Sequence, residues 1–204
     1  MKLHWSPRSP FVRKVMIAAH ELGLADRFEL VRTLVAMDTP NADLMRDNPL
    51  SKIPTLVLDD GTALYDSLVI CEYLDGLDGH NRLFPAEPGK RRRALRRHAL
   101  GTGLLDLAIL RRNERDRPAA RQSPPHLAAF AEKSAATLAA LERDAEELSQ
   151  TPFDIGPIAI GCALSYLDFR FADEPWRLAH PRIAAWHAGF AARPSVIATH
   201  PVDA

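Results

Sequence analysis

The chain changes character at a short stretch rich in glycine and proline, Gly76 to Gly89 (GLDGHNRLFPAEPG). No other feature narrows its fold as much. Before this stretch, short apolar runs alternate with helical patterns; after it, every periodic segment is helical. Clusters of Gly and Pro between periodic segments mark linkers. The sequence therefore predicts an α/β domain over residues 1–78, a linker over 79–88 and an all-helical domain over 89–204. A length of 204 residues suits two small domains.

In the first part, Met1–Trp5 reads as a strand and Ser9-Pro10 opens a helix. Val12, Val15, Met16, Ala19 and Leu22 then fall on one apolar stripe. Gly23 stands where a left-handed C-terminal cap is wanted. Phe28–Val31 reads as a second strand. Thr55–Leu58 and Ala63–Tyr65 flank Asp59-Asp60-Gly61, whose Asp-Gly pair signals a hairpin. Asp66-Ser67 opens a helix through Leu77.

In the second part, Leu127, Ala131, Leu138, Leu141, Ala145 and Leu148 form a stripe broken by Ser134, a face for packing against other helices. Ile155 to Phe171 is apolar nearly all round and predicts a buried central helix. Asp154 is its expected N-cap, with Phe153 and Ile158 placed as a hydrophobic staple. A last helix is expected from Pro181 to Ala192.

Composition removes several function classes. Lys and Arg together number 26, as do Asp and Glu, so the formal charge is zero. A sequence-independent nucleic-acid binder needs a surplus of cations. The basic run Lys90–Arg93 with Arg96 and Arg97 has no aromatic platform beside it, and reads as a solvated helix face or a subunit contact. Ile158–Leu167, the best apolar stretch, falls short of the roughly 20 residues that span a bilayer. The N-terminus MKLHWSPRSP has no apolar signal core. Two cysteines give no disulfide framework, and a cytoplasmic protein is expected. Cys71 and Cys162 sit in apolar helical contexts and read as inert core thiols. The histidines lack ligand spacing; His180 and His187 have no carboxylate or thiol completing a set, so no metal is expected. Asp168, flanked by apolar residues, reads as a buried, hydrogen-bonded structural carboxylate.

Three motifs in the first part can carry chemistry. Ser9 before Pro10 is either a plain N-cap or a hydroxyl beside the free N–H groups of a helix start, where an anion is stabilised. Lys52-Ile53-Pro54 precedes a strand, and a cis X-Pro bond there would turn the Ile53 backbone outward toward an extended ligand. Asp66-Ser67 is either a cap pair or a grip for the amino-acid end of a small ligand.

In this order and spacing, SPFVRKV (Ser9–Val15), NPLSKIPTLVLDDG (Asn48–Gly61) and DSLVICEYL (Asp66–Leu74) resemble the glutathione S-transferase family. DIGPIAIGCALSYLDFRF (Asp154–Phe171) is similar to that family's central helix. One departure is Pro157, three residues after Asp154, which precludes a reciprocal capping box. The resemblance implies a thioredoxin-like N-terminal domain, an all-α C-terminal domain and a homodimer. It also implies glutathione as co-substrate: Ser9 would hold the thiolate, Ile53 before Pro54 would pair with the cysteinyl residue, and Asp66 and Ser67 would hold the γ-glutamyl end. Lys52 would lie near the glycyl carboxylate. The electrophile would sit between the domains, bounded by Trp5, Arg8, Phe11 and the Gly101–Arg112 helix, with Leu105 and Arg112 facing it. Ser6 is a competing hydroxyl. Serine rather than cysteine or tyrosine at position 9 points away from the lyase and redox branches. The implied reaction is conjugation of glutathione to a small electrophile, a detoxifying transfer. The alternatives are a non-catalytic glutathione-binding or protein-interaction module and a glutathione-dependent isomerase or dehalogenase.

Overall fold

The computed structural model describes residues 1–203 except Asp78 and His80, so the predicted boundary at residue 78 lies outside the described residues. The chain divides into two compact units, Met1–Pro88 together with Pro194–Ala204, and Gly89–Arg193. The second domain expected from sequence extends to residue 204, whereas the segment from Pro194 belongs with the first unit.

The first unit holds β1 (Lys2–Trp5), α1 (Pro10–Glu21), β2 (Glu29–Arg32), β3 (Thr55–Val57), β4 (Ala63–Leu64) and α2 (Ser67–Gly76). The strands order as β2-β1-β3-β4. β1 is parallel to β2 and antiparallel to β3, and β3 is antiparallel to β4. Leu3 and Leu56 of the sheet, Val15 and Ile17 of α1, and Ile70 and Leu74 of α2 are all 0% exposed and form the core. α1 starts at the Ser9 cap, where Pro10 needs no N–H partner. It ends in a Schellman motif: Leu24 N–H bonds to Ala19 O and Gly23 N–H to His20 O. Gly23 takes φ +71, a conformation that favours glycine.

The sequence stripe understates the burial of α1, for Arg13 and Lys14 are also buried. A second cover explains part of this. α8 (Pro194–Ile197) packs along α1; Arg13 Nη2 donates to Val196 O at 3.2 Å, and Ser195 Oγ donates to the Glu21 carboxylate. The Gly/Pro-rich stretch is anchored as well. Buried Asp75 accepts from Leu83 N–H at 2.9 Å and Phe84 N–H at 2.8 Å.

The second unit is built from α3 (Pro88–Arg115), α4 (Pro124–Ser149), α5 (Ile155–Arg170), α6 (Trp176–Ala179) and α7 (Pro181–Ala191). Every residue of α5 from Ile155 to Leu167 is buried, as its all-round apolar pattern requires. Asp154 caps it, accepting from Gly156 N–H at 2.8 Å; burial pushes this carboxyl above its usual range against the pull of that bond and of Arg97. Phe153 sets its ring 6.0 Å from that of Phe190. Gly101 of α3 lies against the α5 backbone: a Cβ there would fall 2.5 Å from the Ala159 carbonyl carbon. Glu142 of α4 caps α7, accepting from Arg182 N–H and Ile183 N–H, and those bonds hold its carboxyl below its usual range. Asp168 is hydrogen-bonded as expected, to Trp176 Nε1 and Arg177, but its side chain is 38% exposed rather than buried. α6 ends the chain's excursion from α5 and brings these two donors to the carboxylate. The run Arg96-Arg97 pairs within the unit, Arg97 with Glu147 at 2.6 Å and Arg96 with Asp144 at 3.9 Å. Arg92 is exposed.

Candidate functional site

Strand direction brings the three chemical motifs to one end of the sheet. His4 pairs with Thr55, so the loop leaving β1 (Ser6–Ser9) emerges beside the residues entering β3 (Lys52–Pro54). Leu56 pairs with Leu64, so continuing that ladder places Tyr65 and Asp66 at the same end. The antiparallel register thus gathers segments nearly sixty residues apart in sequence.

Ser9 Oγ accepts from Val12 N–H at 3.2 Å and Ser9 O accepts from Arg13 N–H at 3.0 Å. The hydroxyl proton and the Phe11 N–H have no partner among the described residues. Ser6 is buried, and its Oγ accepts from Arg8 N–H only at 3.4 Å. The Ile53-Pro54 bond is cis, as is Tyr65-Asp66. Among the described residues the N–H and C=O of Ile53 make no hydrogen bond, so both remain for an extended partner. Asp66 caps α2 through Oδ1, 2.9 Å from Leu68 N; its carboxylate is exposed, and Ser67 beside it is buried.

Asn48, to which the sequence reading assigns no role, shapes the Lys52–Pro54 turn. This fully buried amide donates to Lys52 O at 3.1 Å and to Thr55 Oγ1 at 2.9 Å, and accepts from Leu50 N–H. Thr55 Oγ1 donates to Lys52 O at 2.8 Å. An Asn immediately before Pro49 is the available signal, since Asn side chains fold turns on their own backbone.

Asp47 ties the far side of this turn to β1. Its carboxylate takes Lys2 Nζ at 2.8 Å and His4 Nε2 at 2.8 Å, while His4 Nδ1 meets Thr33 Oγ1 at 2.9 Å. The hydrogen bond from Lys2, then that from His4, hold the Asp47 carboxyl below its usual range. A depressed folded value means stabilisation present above the unfolded value near 3.8 and lost as pH falls through the folded one. Asp47→Asn is expected to lower stability by about 1–2 kcal/mol near neutral pH. Urea unfolding at several pH values checks it: the deficit should shrink toward acid, and a deficit constant with pH would show that the charge is not what holds the turn.

Other predicted site residues are placed as follows. Trp5 is half-buried at the end of β1, with Arg32 5.8 Å from its ring. Arg8 is exposed and lies 3.5 Å from Asp203. Phe11 is half-buried beneath Lys14 Nζ at 5.3 Å. In the second unit Leu105 is 0% exposed. Arg112 pairs with Asp116 and donates to Asn113 Oδ1. Cys71 and Cys162 are free and buried. Among the described residues no three His, Cys, Asp or Glu side chains are grouped as metal ligands, and no helix is long and apolar enough to cross a membrane.

A cavity of about 330 Å³ lies within the first unit. One wall is the α1 face carrying Ser9, Val12, Arg13, Met16 and His20. Trp5, Ser6 and Pro7 close one side; Ala25, Asp26 and Leu30 form another, and Ala198, Thr199 and His200 the last. It joins Trp5 and Ser9, but takes in neither Arg8 and Phe11 nor the Lys52–Pro54 and Asp66-Ser67 pairs.

Comparison with known proteins agrees with this architecture. Residues 8–77 match the family described as Glutathione S-transferase, N-terminal domain, and residues 124–189 match Glutathione S-transferase, C-terminal domain. The Escherichia coli K12 GST-like protein YibF is 33% identical over an alignment of 208 positions that covers 100% of both chains. A glutathione transferase family member from Pseudomonas fluorescens Pf-5, solved with bound glutathione, is 42% identical over 98% of each chain, with a TM-score of 0.95. A second structure from that organism, with bound S-(propanoic acid)-glutathione, gives 40% identity, a TM-score of 0.91 and 98% coverage of each chain. Motifs gathered at one end of the sheet, a thioredoxin-like first unit and a helical second one therefore have a single source: the chain belongs to the glutathione S-transferase family.

Proposed function

We propose that the protein is a glutathione transferase that uses the Ser9 hydroxyl to hold the sulfur of glutathione as a thiolate, ready to attack a small electrophile. The observation that carries this reading is the convergence of the Ser9 hydroxyl, the unpaired backbone of Ile53 and the Asp66-Ser67 pair at one end of the sheet. The Ser9 oxygen already accepts from Val12 N–H, which leaves its own proton to donate to a ligand. Sulfur placed there also meets the Phe11 N–H and the positive end of α1. Ile53 offers one donor and one acceptor to the cysteinyl unit, Pro54 fixes the turn, and Lys52 supplies a cation for the glycyl carboxylate. The exposed Asp66 carboxylate pairs with the ligand's ammonium, and Ser67 adds a hydroxyl. The bound glutathione and S-(propanoic acid)-glutathione in the Pseudomonas structures support this reading. Calorimetric titration with glutathione tests it, followed by turnover with a panel of electrophiles. Absence of binding would leave a protein-interaction module, and binding without turnover a glutathione carrier.

Asp66→Ala is expected to weaken glutathione binding roughly tenfold, with part of the loss coming from the helix cap, worth about 0.5–2 kcal/mol. Asp66→Asn retains the capping oxygen and removes the charge. Full affinity in the Asn variant would show that the charge plays no part.

We place the protein in the cytosol as a homodimer, with the exposed Arg92 and its neighbour Arg96 facing acidic residues of a second copy across an isologous contact. Asp75 is no partner for this contact, being buried and committed to Leu83 and Phe84. Arg92→Glu combined with Arg96→Glu is expected to weaken the dimer several-fold and to alter its salt dependence. Sedimentation over a range of protein and salt concentrations reads both, and unchanged constants would place the arginines outside the interface.

A further inference from the structure

A chain of polar groups crosses the helical unit and joins α5, α6 and α7. At its centre is His187 of α7, whose side chain is 3% exposed. Its Nδ1 lies 2.8 Å from Arg177 Nη2, and its Nε2 lies 2.9 Å from Ser165 Oγ. A guanidinium has donors and no acceptor, so Nδ1 is the accepting nitrogen. The ring proton therefore sits on Nε2 and donates to Ser165, and His187 is a neutral imidazole. The same Arg177 Nη2 donates to Asp168 Oδ2 at 2.6 Å, and Arg177 Nε donates to Oδ1 at 3.3 Å. Trp176 Nε1 holds Oδ1 separately at 2.9 Å. Asp168 Oδ2 is itself 3.9 Å from His187 Nδ1, and Arg177 is bonded to both. Asp168 from α5 and Arg177 from α6 are thus the charged groups that face the ring. Glu142 of α4 is engaged at the start of α7 by Arg182 and Ile183, while Asp173 and Glu174, before α6, turn to Arg115 and Arg111.

We propose that this cluster is an acid-driven exchange of partners: on acidification His187 takes a proton from water at Nδ1 and donates it to Asp168, and Arg177 leaves both groups for solvent. The proton cannot enter while Arg177 occupies the Nδ1 lone pair, so one member of the cluster has to move. His187 is the fixed member, bonded to Ser165, stacked on Phe190 at 5.7 Å between centroids and met edge-on by Trp176 at 6.0 Å. Asp168 is kept in place by Trp176 Nε1. Arg177 is the member able to leave, because its side chain is already 40% exposed and its long stem lets the charged head reach water. A buried imidazolium needs a counter-ion, and the Asp168 carboxylate stands close enough to serve. The exchange also withdraws the Arg177 guanidinium from over the Trp176 ring, where it sits 4.6 Å from the centroid. The four-residue α6 then loses its Arg177 tie to α5 and keeps the Trp176 one, so the segment joining α5 to α7 loosens while both long helices stay formed.

Nitrogen-15 NMR of the histidine rings in the full-length protein tests this, with His187 recognised by its contacts with the Phe190 and Trp176 rings. Near neutral pH the Nε2–H tautomer is expected, together with slow solvent exchange of the Arg177 side-chain protons. Lowering the pH from about 8 to about 5, across the range where histidine ordinarily titrates, should add the Nδ1 proton and speed Arg177 exchange at the same midpoint. Helix content by circular dichroism should not change through that transition. Arg177→Met removes the competitor and should move the His187 midpoint upward by roughly one unit or more, whereas Asp168→Asn removes the counter-ion and should move it downward by a similar amount. The wild-type titration decides the matter if either variant folds poorly. A ring proton on Nδ1 near neutral pH overturns the proposal, as does a His187 titration that leaves Arg177 exchange unchanged. So does helix loss that accompanies the proton, or a ring that stays neutral until the helices unfold, because either would make the cluster a fixed acid-labile tie with no exchange of partners.

Discussion

Ser9→Ala is expected to raise the pKa of bound glutathione by about 1–2 units and to cut turnover about 10- to 100-fold, while affinity for glutathione falls only a few-fold. In the proposed site the hydroxyl would give the thiolate one charge-assisted hydrogen bond, worth about 1.5–3 kcal/mol, and each pKa unit corresponds to about 1.36 kcal/mol. A free thiol titrates near about 8.5, so the shift sets how much of the bound ligand is thiolate at neutral pH. In the proposed site the affinity barely changes, because Ile53, Asp66 and Lys52 are assigned to parts of the ligand remote from sulfur. Ultraviolet absorbance of the bound thiolate across pH measures the shift. An unchanged pKa would transfer the role to Ser6, buried two residues before Arg8, or to the Phe11 N–H. The substitution also removes the Val12 N–H acceptor, so Ser9→Asn, another good cap, separates helix capping from thiolate binding.

The second large effect is on stability. A methyl group at Gly101 would stand 2.5 Å from the Ala159 carbonyl carbon and 2.6 Å from the Ile160 nitrogen. Both are backbone atoms of the buried Ile155–Leu167 stretch of α5, so relief requires the helices to move apart. Gly101→Ala is therefore expected to cost about 3 kcal/mol or more, at the upper end for overpacking. Gly103 lies one half-turn on in the same helix, and a Cβ added there would meet nothing within 4 Å. There the same substitution should stabilise by about 0.5–1 kcal/mol through the lower entropy of the unfolded chain. At about 2–4 °C per kcal/mol, the two variants should differ in Tm by roughly 8 °C or more. Equal midpoints would contradict the close approach of α3 to α5.

The sequence carried those parts of the fold whose physics is local. The Ser9-Pro10 start and the Gly23 stop delimit α1 to the residue, because caps are specified by residue type and by φ. The Asp66 and Asp154 caps are equally plain, and α5 is readable because no polar face interrupts it. Boundaries of β2 and β4 drift by a residue, since short strands are delimited by pairing and not by composition. What could not be read depends on distant partners. The burial of Arg13 and Lys14 follows in part from a segment some 180 residues away, and the turn-forming use of Asn48 depends on Lys52 and Thr55 meeting its side chain. The inward turn of Asp75 escapes a sequence reading because an acidic residue late in an exposed-looking helix gives no local sign of the amides it will meet. At the candidate site, residue types and order were legible; their meeting at one sheet end came only from the strand register.

The return of Pro194–Ile197 to α1 also governs the order of assembly during synthesis. Arg13 is made 183 residues before the carbonyl it binds, and Glu21 precedes Ser195 by 174. The helical unit is thus an insertion between the two pieces of the first, and a nascent chain can complete the second unit while α1 still lacks one of its covers. Closing so long a loop costs little extra free energy, about 0.6 kcal/mol for each doubling of length, but it delays the event. Until α8 emerges, the α1 face that walls the cavity stays open to water and to other nascent chains, so ribosome stalling anywhere within α4 to α7 would release a chain with its helices formed and that cavity still lacking one wall.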